Sequence, residues 1–284
     1  METTGTVGTI LMILTLFISY KGFKDHRFFE DYLFEVDKIL MRKEYKRLFT
    51  SGFLHADWIH FGFNMIALLS FSWSLELMFG HLKFLFLYFG SMLGGSLLAL
   101  WVHRNHGDYR AIGASGAISG VIMSSIILFP QGSISLIFIP IPIKSWLFGL
   151  LFILISIFGI KNKRDNIGHE AHLGGAITGV LITLIIAPWV LKENWWIVLA
   201  ILIPVTAFLM LIVRNPAVLM VDNYWGENVK SVQKRTAKIR SIKSPSRKDK
   251  EKELDELLEK IRKHGMNNLS KKEKERLDEL KDDL

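Results

Sequence analysis

The sequence predicts an all-α fold: a polytopic membrane helical bundle of six core spans and a seventh, followed by a small soluble helical tail. The first observation behind this is where the charges lie. Of the chain's 62 charged side chains, only 13 fall in the 156 residues from Trp58 to Val213, while 33 fall in residues 214–284. A water-soluble domain of that length needs a charged shell, so this stretch has no water-facing exterior. The second observation is that apolar runs of bilayer length recur through the same region. The absence of cysteine excludes a disulfide scaffold and a zinc-thiolate site, and the 50% hydrophobic content excludes disorder.

In chain order the expected spans are Val7–Tyr20, Trp58–Phe79, Phe84–Val102, Ile112–Phe129, Ser145–Ile160, Ala171–Val190 and Trp195–Val213. The first and fifth are short and need flanking residues to complete them. The first lacks a basic start and a small-residue cleavage site, and more spans follow, so it reads as a span rather than a cleavable signal peptide.

The segment between the first two spans, residues 21–57, carries 15 charges, too many for lipid. Its Phe23, Phe28, Phe29, Tyr32, Leu33, Phe34, Ile39, Leu40 and Leu48 suit a small structure lying in the membrane interface. Gln131–Ile143 holds Pro140 and Pro142 and is expected to be an extended connection. The domain organisation that follows is a membrane core over residues 1–192, an additional transmembrane helix over 193–213, a polar linker over 214–248 and a charged helical hairpin over 249–284. In the tail Leu254, Leu257, Leu258 and Ile261 follow helical spacing, and Gly265 is a helix stop. Ser270 with Glu273 forms a capping box for a last helix carrying Leu277 and Leu280. Mixed Lys and Glu on these faces indicate a solvated surface rather than a nucleic-acid site, and the tail's partner is not legible.

Polar side chains inside spans are costly and mark function. His60 and Asn64 open the second span, Ser115 the fourth and His172 the sixth. Alternating topology starts every even span on the same side, so these groups share one depth. Asn64 follows His60 by four residues and shares its helix face. His172, Gly175 and Gly179 share another face, and Gly116 and Gly120 form a small-xxx-small pair beside Ser115. Helices with such faces pack backbone to backbone, which would bring Ser115 and His172 within hydrogen-bond reach. A serine beside a histidine at a helix start has a nucleophile, its base and nearby N–H donors.

Read together, these motifs resemble the rhomboid family of intramembrane serine proteases. Gly113-Ala114-Ser115-Gly116 is similar to the family's GxSG, His60 with Asn64 to its HxxxN, and Ala171-His172-Leu173-Gly174-Gly175 to its AHxxG. Glu76 with Gly80 resembles its ExxxG, and Arg47 stands where the family has a first-loop arginine. The resemblance covers about residues 7–190. It implies a Ser115–His172 dyad that cleaves single-span transmembrane proteins in or near the bilayer. The oxyanion would be held by the Ser115 backbone N–H, His60 and Asn64. Gly113, Gly116, Gly120, Ala171, Gly175 and Gly179 would give helix-packing support.

No metal, nucleotide or redox cofactor is implied, and Glu170 stays open as an orienting group. Ser119 stands where many members carry an aromatic under the catalytic histidine. Glu76 lies roughly 24 Å along its helix from His60, so depth argues against contact with Arg47. The cysteine-free chain suits a multi-pass protein of a bacterial cytoplasmic membrane. The basic loop Lys161–Arg164 runs against the positive-inside tendency, and the side of the tail stays open. Two alternatives remain: a non-catalytic, rhomboid-like binder of transmembrane helices, and a His-lined transporter or metal-binding protein using His55, His60, His169 and His172.

Overall fold

Helix α1 (Thr6–Lys24) leads into a loop structure of α2 (His26–Tyr32), β1 (Phe34–Glu35), α3 (Val36–Leu40) and α4 (Arg47–Thr50), closed by a 3-10 turn at Ser51–Phe53. The bundle continues with α5 (Trp58–Phe79), α6 (His81–Val102), β2 (Arg110–Ala111), α7 (Ser115–Leu128), β3 (Ser133–Leu136), β4 (Ile139–Lys144), α8 (Ser145–Asn162), α9 (His169–Ile186), α10 (Val190–Glu193) and α11 (Trp195–Arg214). Separately in the tail lies α12 (Arg247–His264). This computed structural model describes residues 5–136, 139–162, 167–215, 247–266 and part of 269–280. The chain divides into two units, Met1–Val221 and Asp222–Leu284.

Seven helices thus occupy the seven expected spans among the described residues. By length and composition α1, α5, α6, α9 and α11 are able to cross a membrane, while α7 and the described part of α8 are shorter. The short first span is completed by flanking residues up to Lys24. Its N-terminus is closed by a distant residue. The Glu76 carboxylate, 1% exposed, accepts the Val7 and Gly8 backbone N–H groups at 2.9 and 2.8 Å. Those donors have no partner within a helix, and a carboxylate there also complements the helix dipole.

Helix α7 sits at the centre. Almost all of Gly116–Leu128 is buried, whereas its neighbours expose apolar faces outward. Fourteen residues make a helix of about 21 Å, shorter than a hydrocarbon core of about 30 Å. The fourth span was expected to begin at Ile112. It begins at Ser115, because Arg110–Ala111 is extended and pairs antiparallel with Phe34–Glu35. The sixth span likewise shifts from Ala171–Val190 to His169–Ile186, with α10 a separate turn beyond Pro188.

The extended connection expected at Gln131–Ile143 folds back on itself. Ser133 pairs with Lys144 and Ile134 with Ile143, making an antiparallel hairpin with an irregularity before Leu136. Pro140 and Pro142 are tolerated because a two-stranded ribbon has free outer edges.

In the segment before α5, Leu33, Phe34, Val36, Ile39, Leu48 and Leu54 are buried, as a packed interfacial structure requires, while Leu40 and Phe49 face outward. Arg47, 2% exposed, organises it. The guanidinium donates to Glu44 at 2.7 Å and to the carbonyls of Glu30 and Leu33 at 2.9 and 2.7 Å. It makes none of these bonds to Glu76, as their depths predicted.

The linker residues 216–246 and the basic loop residues 163–166 lie outside the described residues. In the tail, α12 ends at Gly265, whose φ of +81° suits glycine. The capping box is present in both directions: Ser270 N–H donates to Glu273 at 2.8 Å, and Glu273 N–H to Ser270 Oγ at 3.3 Å. Leu269, Leu277 and Leu280 are buried, and Arg276 donates to Glu253 on α12 at 3.2 and 3.1 Å, so the two segments lie alongside one another.

Candidate active site

Three helix starts meet at one end of the bundle, and glycine decides how closely. A Cβ on Gly175 of α9 would meet the Gly116 backbone of α7, and one on Gly179 the Gly120 backbone. The equal four-residue spacing on both sides means that α7 and α9 run parallel. Gly116 also faces Ala171, whose carbonyl oxygen lies 3.3 Å from where a Gly116 Cβ would stand. Ser115 and His172 are each one residue from that contact, and both are half-buried. Helix α6 joins the same seam. A Cβ on Gly95 would stand 2.6 Å from the Ala171 carbonyl, and Gly94 faces Gly174 and Thr178. The α6 pair was absent from the sequence-based set, although Gly90 with Gly94 and Ser91 with Gly95 have the same small-xxx-small spacing.

His60 completes the meeting point. Its Cε1 and Nε2 lie 2.8 and 2.9 Å from the position of a Gly113 Cβ, and Ser115 Oγ lies 3.9 Å from the same point. Gly113 has φ of +114°, so glycine is required twice over, for backbone angle and for space. On its far side His60 Nδ1 faces the Ala56 N–H at 3.5 Å. An acceptor role at Nδ1 puts the ring proton on Nε2, one of the two ring atoms turned toward Gly113. Asn64 is buried, and one amide N–H donates to the His60 carbonyl at 2.9 Å, leaving the second for another acceptor.

Ser115 is the first residue of α7, and the first bond along that helix is Ile118 N–H to the Ala114 carbonyl at 3.0 Å. The backbone N–H groups of residues 115–117 therefore have no acceptor within the helix. Gly113 N–H is tied to the Ser51 carbonyl at 3.0 Å, and Ser51 Oγ to the Arg47 carbonyl at 2.7 Å. Arg47 is thus linked through Ser51 to the backbone that leads into Ser115. A cavity of about 30 Å³ lies behind, among Gly113, Gly116, Ala117, Ala171, Met92 and Ser96, large enough for one water.

Ser119 has no aromatic role. It donates to the Ser115 carbonyl at 2.6 Å. The aromatic neighbour of His172 comes instead from α8: the Phe152 ring is 6.0 Å away at 28°. The sequence held no sign of this, because Phe152 is one of several phenylalanines on an apolar helix. Glu170 is 4% exposed and is bonded by His103 and Tyr109 on the far side of α9's first turn. His169 and His172 are 6.0 Å apart in T-shaped contact. Among the described residues no three His, Asp or Glu side chains converge as metal ligands would.

The Rhomboid domain family matches residues 42–189, and a family of unknown function, DUF6576, matches residues 244–282. The chain is 34% identical to Rhomboid protein 1, mitochondrial, of Saccharomyces cerevisiae over 175 residues, 59% of this chain and 49% of that protein. It is 28% identical to RHOMBOID-like protein 12, mitochondrial, of Arabidopsis thaliana over 190 residues, 62% of this chain and 56% of that protein. With Rhomboid protease AarA of Providencia stuartii it shares 29% identity over 151 residues, 47% of this chain and 53% of that protein. The chain spans about half the length of the curated relatives it matches. They come from mitochondria and from bacteria, so they support a multi-pass membrane protein but give no support to a bacterial membrane in particular.

Proposed function

Since the chain belongs to the rhomboid family, we propose that it is an intramembrane serine endopeptidase with Ser115 as nucleophile and His172 as general base and acid. His172 takes the hydroxyl proton as Ser115 Oγ bonds to the scissile carbonyl carbon. The carbonyl oxygen becomes an oxyanion facing the Ser115 N–H, His60 Nε2–H and the second Asn64 N–H. Each such donor in a water-poor site is worth about 3 kcal/mol in the barrier. Collapse breaks the C–N bond as His172 returns the proton to the leaving amine. Water then attacks the Ser115 ester, giving its proton to His172, and the acid product leaves as Ser115 recovers its proton.

The convergence of three helix starts at Gly113 and Gly116 is the observation that supports these roles. The short α7 adds to it, because a helix shorter than the hydrocarbon core would hold a serine at its start below the membrane surface, where a transmembrane substrate arrives. The substrates would be single-span membrane proteins whose helix unwinds readily, with small residues at the cut, since an extended backbone must reach Ser115. Residues 1–192 form the catalytic core, 193–213 an added span, 214–248 a linker and 249–284 a separate hairpin. A bacterial cytoplasmic membrane is the finer assignment, suggested by the cysteine-free chain alone.

Labelling by a fluorophosphonate tests the dyad, comparing the wild type with Ser115→Ala and His172→Ala. Labelling that needs both residues is the expected result. A folded wild type that stays unlabelled in detergent and in lipid would instead favour a non-catalytic, rhomboid-like binder of transmembrane helices.

A further inference from the structure

Behind the proposed dyad lies a buried polar cluster that the chemistry does not use. His103 Nε2 is 3.0 Å from Glu170 Oε1, with both side chains about 95% buried. The Tyr109 hydroxyl donates to Glu170 Oε2 at 3.4 Å. The His103 and Tyr109 rings are stacked at 3.5 Å and 8°, which fixes the plane from which each reaches the carboxylate. Burial first, and then the Glu170 carboxylate, push the Tyr109 phenol above its ordinary value, so it remains a donor.

Three segments meet in this cluster. His103 caps the C-terminus of α6, Glu170 is in the first turn of α9, and Tyr109 lies in the connection that runs through Gly113 to Ser115. Tyr109 also lies beside the cap of α9. Its hydroxyl is 3.8 Å from where a Gly168 Cβ would stand, and the Gly168 carbonyl accepts the His172 backbone N–H at 3.1 Å. The segment that delivers the nucleophile is therefore fastened to the turn that carries the base. Reacting groups a fraction of an ångström out of place lose rate steeply, so such a fastening has a kinetic consequence.

We propose that Glu170, bonded to His103 and Tyr109, is a positioning residue that sets the distance and angle between Ser115 and His172. This rests on the dyad reading above. It touches no substrate; its effect passes through α9's first turn and the Tyr109–Ser115 connection.

The test measures fluorophosphonate labelling of the full chain as two quantities, the rate constant and the final fraction labelled. The variants are Glu170→Gln, which keeps shape but loses charge, and Tyr109→Phe, which removes one oxygen and keeps the stacked ring. A positioning role predicts a rate constant lowered about 10-fold by Glu170→Gln, and less by Tyr109→Phe, with the labelled fraction preserved. On a membrane substrate, kcat should fall while KM stays. A lowered fraction at an unchanged rate constant would mean that the cluster serves folding alone, and the proposal is overturned. So it is if both variants react at the wild-type rate. If Glu170→Gln fails to fold, Tyr109→Phe decides. A wild type that is itself unlabelled sinks the dyad and this role together, whereas a labelled wild type with unaffected variants sinks this role only.

Discussion

The Phe152 ring of α8 lies 6.0 Å from the His172 imidazole of α9, inclined by 28°. Phe148 continues the row at 6.4 Å from Phe152. The aromatic support missing at Ser119 on α7 is thus supplied from a different helix, and His172 is steadied by an element that does not carry Ser115. An offset aromatic contact of this kind is worth about 1 kcal/mol beyond the area it buries.

If His172 is the proposed base, Phe152→Leu should lower kcat about 10-fold through a less well oriented imidazole, with KM little changed. Phe152→Tyr should keep most of the activity, because the ring remains. Steady-state kinetics on a membrane substrate separates the two parameters, and equal losses in both variants would show that ring stacking is not what matters.

Gly175→Ala places a Cβ 2.7 Å from the Gly116 carbonyl carbon, and backbone on a packed helix cannot move aside. A cost of about 1–3 kcal/mol is expected from such overpacking. Gly62→Ala is the control, since nothing lies within 4 Å of its Cβ position. Thermal unfolding in detergent should show a lower midpoint for the first and none for the second.

Removing the Glu76 carboxylate by Glu76→Ala leaves the Val7 and Gly8 N–H groups without their acceptor. Hydrogen bonds to a charged group contribute about 1.5–3 kcal/mol each, so unfolding should come at clearly lower temperature. The rate constant for labelling Ser115 should not change, because Glu76 belongs to the opposite end of α5. A slower rate at full labelled fraction would contradict that division of roles.

Acid should destabilise the protein through His55. Burial first, then the neighbouring His60, with Asp57 opposing, push its imidazole down from 6.5 to about 3. Between those values the unfolded chain holds a proton that the folded chain does not. The contribution is therefore complete above the unfolded value and is lost as pH falls toward the folded one. Unfolding free energy followed downward from about pH 7 should fall by up to about 1.4 kcal/mol per pH unit from this residue. His55→Gln should flatten that limb; an identical slope in the variant would assign it elsewhere.

In the tail, Ser270→Ala removes one half of the capping box and should cost about 1 kcal/mol locally. Amide exchange over residues 269–280 should speed up, while exchange in α1 to α11 stays as in the wild type. Protection unchanged across the tail would mean that the cap is not what holds this turn.

The bundle is legible in the residue pattern, and so is the shared depth of its polar groups. Lipid admits few charges and no unpaired backbone, so the spans are visible as charge-free runs, and alternation alone puts His60, Ser115 and His172 at one depth. The Gly116/Gly120 and Gly175/Gly179 faces were legible too, because helical spacing is local. Tertiary structure alone decided the partners of single side chains. Glu76 meets residues 69 and 68 positions away, Glu170 meets His103 across 67, and Phe152 meets His172 from another helix. The late start of α7 was decided the same way, by Arg110–Ala111 pairing with the distant Phe34–Glu35. Periodicity fixes which face of a helix is buried, but a buried face can meet any of several neighbours, and only packing the whole bundle selects one.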